Sequence, residues 1–210
     1  MTFIAACAML CNACGNGDQF AIALHREIGS MTSRSRLPLA VLAACLTASP
    51  SLAQESDGQD HPELPRYPSA VIDGYRAPSL DNVVMPTGSI ATEDGTINRQ
   101  LLEGRVTHID YRVKPATAPL QIERYYTDQL RKAGYKVAYS CIGPACGNAM
   151  GALILNSGKV APTGLADGLF NDRVRVVIAR RDRNWVLLHI AEGPDRSQIF
   201  ETVVENASPA

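Results

Sequence analysis

The chain has 210 residues, of which 46% are hydrophobic, 20% charged and 6% aromatic, a composition that excludes collagen-like, fibrous and wholly disordered classes. No uninterrupted apolar run reaches the ~18 to 20 residues that a membrane-spanning helix needs. With 20 basic and 21 acidic residues the net charge is only -1, so nucleic-acid binding through a bulk basic field is excluded as well.

Residues 1–30 contain Asp18 and Glu27 and follow no targeting pattern. They precede an internal Met31 that opens a better start, so they are expected to reflect an initiation codon placed too far upstream and to be unstructured if made. Cys7, Cys11 and Cys14 within them have the spacing C-x3-C-x2-C, which resembles the iron–sulfur ligand motif of radical SAM enzymes. Nothing downstream supplies the repeated strand and helix pattern that such a barrel requires, and no cofactor is expected.

Residues 31–53 read as a secretory signal peptide: Met31, then Arg34 and Arg36, an apolar run from Leu37 to Leu46, and Ser51-Leu52-Ala53. A cationic start, a short apolar middle and small residues before the cut are the features the export machinery reads. Cleavage after Ala53 uses the full apolar run. A second reading overlaps it: Leu42-Ala43-Ala44-Cys45 resembles a bacterial lipoprotein processing site, which makes Cys45 the candidate for lipidation. Either route places the domain outside the cytosol, in the periplasm or at the outer-membrane periphery.

Residues 54–65 are polar and rich in Pro, Asp and Glu, the composition of a tether. A single domain is then expected over 66–206. Short strand-like runs fall at Ser69–Tyr75 and Asn82–Met85. A stronger strand covers Leu102–Val113, where Val106, His108, Asp110 and Arg112 alternate with Thr107, Ile109, Tyr111 and Val113, the period of a half-buried strand. A helix is expected over Ala118–Ala133, with Thr117 as N-cap, Pro119 in the first turn and Gly134 past the end. Ile122, Tyr126, Leu130 and Ala133 form its apolar stripe.

A strand over Tyr135–Ser140 leads into Cys141-Ile-Gly-Pro-Ala-Cys146. An even pair of cysteines around a Gly-Pro turn in an exported chain predicts a disulfide between Cys141 and Cys146. Residues 149–155 are apolar but too short to assign, and a loop runs over Asn156–Gly168. Strands at Arg173–Ala179 and Trp185–Ala191 are joined by a short hairpin connection. Gln198–Glu205 is either a last strand or a short helix. Together these elements predict an α+β, two-layer domain: an antiparallel sheet with one main helix packed on it.

His61, His108 and His189 have no metal-ligand spacing with the two cysteines, so no metal site is expected. There is no nucleophile elbow, zinc helix, phosphate loop or dinucleotide fingerprint. His108 beside Asp110 could orient a base, but no nucleophile accompanies them, and a solvated strand face is the expected reading. Arg173, Arg175, Arg180, Arg181 and Arg183 form the candidate surface for an anionic ligand, since guanidinium groups grip phosphate and carboxylate in bidentate fashion. The competing reading is a charged hairpin that keeps a sheet edge soluble.

The order of His61-Pro62, Pro65-Arg66-Tyr67-Pro68, Gly104-Arg-Val-Thr-His-Ile-Asp-Tyr111, Glu123-Arg-Tyr-Tyr126, Leu130, Ala133-Gly134-Tyr135, Ser140-Cys141 and Cys146-Gly147 resembles a proteobacterial family of exported domains of unknown function. Members often precede an OmpA-like peptidoglycan-binding domain. The resemblance implies an envelope location and supports the disulfide, but it supplies no catalytic residues, and anchoring through an OmpA-like partner does not carry over to this chain. The expected function is a non-enzymatic envelope binding or scaffolding module, with protein, lipid head group or peptidoglycan as partner. The alternative is a periplasmic hydrolase or thiol oxidoreductase.

Overall fold

The computed structural model describes residues 58–166 and 173–210. The cysteine motif in 1–30, the signal segment with Cys45, and residues 54–57 of the expected tether lie outside the described residues, as do 167–172.

Six strands form one antiparallel sheet in the order β1-β2-β6-β5-β4-β3: β1 Ala70–Pro86, β2 Arg99–Val113, β3 Lys136–Ile142, β4 Val174–Arg181, β5 Asn184–Glu192 and β6 Ser197–Pro209. Two helices interrupt them, α1 Pro119–Lys132 and α2 Met150–Leu155, with a 3-10 turn at Gly143–Cys146. The α+β class expected from the sequence is present. Consecutive strands β1 and β2, β3 and β4, and β4 and β5 pair as neighbours, whereas β6 inserts between β2 and β5.

Alternate residues of the strands enter two separate cores. Leu102, Val106, Val176, Ile178, Leu187, Phe200 and Val204 join a cluster with α2 and Val160. The residues between them, Ile109, Tyr111, Val177, Ala179, Val186, Leu188 and Val203, join Ile122, Tyr126 and Leu130 of α1 and Leu64. The period of two that normally separates a wet face from a dry one here separates two dry ones.

The α1 boundaries follow local chemistry. Pro119 occupies the first turn, where its missing N–H costs nothing, and Arg131 and Lys132 sit in the last turn against the negative end of the helix dipole. Gly134 follows with φ +82, and the Tyr135 N–H bonds the Leu130 carbonyl at 2.9 Å to close the helix end. Thr117 is not the N-cap. That position is Ala118, with no side-chain cap, and Thr117 is held by Ser197, whose Oγ accepts from the Thr117 N–H at 2.8 Å and donates to its carbonyl at 2.7 Å.

Other expectations need correction. The two short runs before residue 86 are one strand of 17 residues, irregular between Ile72 and Gly74 and between Arg76 and Ser79; Gly74 and Pro78 interrupt the alternation that would have revealed it. The undecided segment 149–155 contains α2, and 198–205 is strand rather than helix. The domain extends beyond 66–206 at both ends. Residues 58–65 pack as a strap, with Leu64 fully buried, and β6 continues to Pro209. Polar composition misled here because the strap's charges are consumed by partners, Asp60 by nearby Arg66 and Glu63 by Arg181, 118 residues away.

Cys141 and Cys146 form the expected disulfide, with Cα atoms 5.0 Å apart. Both sulfurs belong to the core containing α2, and Gly147 beyond them, at φ +89, lies so close to the Ile90 carbonyl that a Cβ would fall 2.3 Å from its oxygen. The bond therefore pins the exit of β3 against 89–90. Replacing both cysteines by serine is expected to cost about 2 kcal/mol by loop entropy, read as a lowered urea midpoint with an unchanged m-value. No helix among the described residues is long and apolar enough to cross a membrane.

Candidate functional site

Where the strap crosses β1, β2 and β6 it leaves a cleft of about 450 Å³, within the range of small-ligand sites. Gln59, Asp60, His61 and Pro62 form one wall; Tyr75 and Pro78, beside the irregular stretch of β1, form another; Arg105 and Thr107 of β2 and Glu205 of β6 complete it. Arg105 and Glu205 are direct partners in the β2–β6 register, so their side chains leave the sheet side by side.

The carboxylates differ in how fully they are engaged. Asp60 is satisfied: Arg66 Nε donates to both oxygens at 2.8 and 2.9 Å, and the Tyr111 hydroxyl donates at 3.1 Å. Glu205 has two nitrogen neighbours, the Arg105 guanidinium Nε at 3.7 Å and the His61 Nε2 at 4.0 Å, and neither reaches hydrogen-bond distance. The Thr107 hydroxyl is buried with no partner.

His61 is set by the strap's own backbone. Its Nδ1 accepts from the Glu63 N–H at 3.3 Å, which leaves the proton of the neutral ring on Nε2, facing Glu205. Burial lowers its pKa from the ordinary histidine value, and the Glu205 and Glu63 carboxylates oppose that shift. The ring is therefore a neutral donor at pH 7.

Glu201 lies on the same strand as Glu205, four residues earlier in β6. It is fully buried, and both carboxyl oxygens lack a hydrogen-bond partner. Burial first, and then the negative charge of Asp60, push its pKa up to about 8, so it is held as the neutral acid at pH 7. The Tyr111 and Tyr126 hydroxyls are pushed up too, mainly by burial.

The arginines read from the sequence as one contact surface do not converge. Arg175 and Arg181 follow Val177 and Ala179 onto the α1 face, while Arg180 follows Ile178 onto the other and covers Trp185 at 5.0 Å. Arg175 pairs with Glu123. Arg181 grips both oxygens of Glu63 at 2.8 and 2.9 Å, bonds the Ala133 carbonyl and stacks over Tyr135 at 4.6 Å. Arg183 bonds the carbonyls of Asn206 and Ala207, and Arg173 pairs with Glu192. Their guanidinium groups already hold intramolecular partners, and the fold uses them to lock strap, helix end and hairpin.

The second candidate, His108 with Asp110, is not a solvated face. Both are buried, at 2% and 3% exposure, because the core containing α2 covers that side. His108 Nδ1 lies 3.1 Å from Thr202 Oγ1, and its ring stacks on Phe200. Burial lowers its pKa to about 4. His189 is lowered to about 4 by burial as well. Among the described residues no group of three or more His, Cys, Asp or Glu side chains could hold a metal ion.

Asp60, His61, Arg105, Thr107 and Glu205 thus make up a cleft that sequence reasoning did not assemble, on the sheet face to which the buried Glu201 also belongs. One signal was visible: Glu201 interrupts the apolar run Ile199-Phe200-Glu201-Thr202-Val203-Val204, where a charge needs a reason. No protein-family model matches the chain, and no curated protein matches it.

Proposed function

We propose that this protein is a non-enzymatic binding module of the bacterial cell envelope that takes its ligand in the cleft under the 58–62 strap. The observation carrying this reading is the pair Arg105 and Glu205: adjacent opposite charges at the cleft wall, drawn together by register yet short of hydrogen bonding with each other. The signal-like segment 31–53 and the disulfide support an exported location, as does the resemblance to exported domains. The binding surface is the cleft rather than the arginine hairpin, whose groups are already engaged.

A hydrolase is the second reading, favoured by the neutral His61 beside Glu205. Against it, the one aliphatic hydroxyl lining the cleft, that of Thr107, is buried. Thiol exchange is disfavoured by the burial of Cys141 and Cys146 at 8% and 1% exposure, because an attacking thiolate must reach a sulfur.

The test is co-sedimentation of the purified chain with isolated cell-wall sacculi and with outer-membrane fragments, at low and high salt. Retention at low salt by one of these fractions, lost in Arg105→Glu and kept in Arg180→Gln, is the expected result. Binding to neither fraction, or binding indifferent to Arg105, would overturn the proposal.

A further inference from the structure

Building on that reading, we infer that the cleft ligand is an α-amino acid zwitterion, its ammonium on Glu205 and its carboxylate on Arg105. The donor and acceptor inventory of the cleft points there. Asp60 is saturated by Arg66 and Tyr111, so it offers little to a ligand. Glu205 is the carboxylate with capacity left, since its neighbours stand at 3.7 and 4.0 Å. Arg105 has a side chain 64% exposed, and its contact with Glu205 is at that same 3.7 Å, leaving its planar fork available to a carboxylate.

A ligand of one charge fits this pair poorly. An anion on Arg105 would face the Glu205 carboxylate beside it, and a cation on Glu205 would face the guanidinium; each gains one contact and suffers one repulsion. A zwitterion laid antiparallel to the pair satisfies both partners at once. One further group suits it: His61 Nε2–H is a donor beside Glu205 that can also serve the ligand carboxylate. The volume of about 450 Å³ admits a single residue with its side chain and not a folded macromolecule. The shared chemistry has two sources in an envelope: a free amino acid, or the unlinked amine and carboxylate of a diamino diacid residue in a cell-wall stem peptide.

The experiment is isothermal titration of the purified full chain with four probes: alanine, N-acetylalanine, alaninamide, and a stem peptide carrying an unlinked diaminopimelate. Alanine or the stem peptide is expected to saturate the site, and the tighter of the two identifies the source. Blocking the amine or the carboxylate of alanine should weaken binding by about tenfold or more, the worth of one charge-assisted hydrogen bond. Glu205→Gln should abolish the discrimination against N-acetylalanine, and Arg105→Gln that against alaninamide, with thermal melts showing both variants folded. N-acetylalanine or alaninamide binding as tightly as alanine would overturn the inference, as would no saturation by either zwitterion. If the zwitterions fail while sedimentation still depends on Arg105, only the ligand class is wrong. If both fail, the binding-module reading falls with it.

Discussion

Between about pH 6.5 and pH 8 the protein is expected to lose stability, and Glu201→Gln is expected to remove most of that loss; below that window the buried His108 and His189, kept neutral in the fold, act in the opposite direction. The carboxyl of Glu201 is fully buried without a hydrogen-bond partner, and its folded-state pKa is raised from 4.5 to about 8. In this interval the unfolded chain has already released the Glu201 proton, while the folded chain still holds it and gives it up only as the pH approaches 8. The folded state therefore binds more protons, and stability falls as pH rises. The contribution is complete below the unfolded pKa and is lost as pH climbs through the folded one. Converting the shift gives an upper bound of about 5 kcal/mol. Glutamine keeps the shape and carries no charge, so chemical denaturation should show wild type and variant close together near pH 4 and the variant several kcal/mol more stable near pH 8. Parallel pH profiles would show that Glu201 titrates normally. Tyr111 and Tyr126 resist ionisation chiefly for the same reason, burial away from water.

Leu64→Ala is expected to destabilise the whole domain by about 2 to 5 kcal/mol, the usual cost of emptying a filled core position. Leu64 is fully buried among Ile122, Tyr126 and Tyr111, and the residues around it are anchored on both sides. Tyr125 donates its hydroxyl to the Arg66 carbonyl at 2.9 Å, the Tyr67 N–H reaches the Tyr126 hydroxyl at 3.3 Å, and Glu63 is gripped by Arg181. Were 58–65 a solvated tether, the same substitution would change nothing measurable. A single urea transition shifted to lower concentration with the m-value preserved identifies the strap as an integral part of the core. A pre-transition that spares the main unfolding step would instead mark it as a loosely docked segment.

Where the sequence carried a period, it was legible. The stripe Ile122, Tyr126, Leu130 located α1, and strands β4 and β5 fall within a residue or two of the expected runs, because apolar side chains every second position survive whichever face they serve. What periodicity cannot report is whether the second face is wet. His108 and Asp110 look like the polar side of a half-buried strand, yet they are covered, since α2 and the segment reaching Val160 and Ala161 close that face. The strap failed for a related reason. Charge reads as solvation until the partner is known, and the partners of Asp60 and Glu63 are Arg66 on the strap itself and Arg181, 118 residues away. The candidate site was hidden by the same distance: Arg105 and Glu205 meet only because β6 lies beside β2 in register. Arg180 and Arg181, adjacent in sequence, leave the sheet on opposite sides, because neighbours along a strand alternate between its faces.

The position of β6 has a consequence for assembly. As the last strand in sequence but an interior one in space, it is the seam between two parts that can form earlier, the β1–β2 pair and the β3-β4-β5 meander. Until residues 197–209 arrive these halves expose unpaired inner edges and share no backbone ladder. A polypeptide delivered from its N-terminus, whether by synthesis or by threading through a pore, would thus remain open and deformable through the first five strands, and lock only when residues 197–209 slide between the two waiting borders.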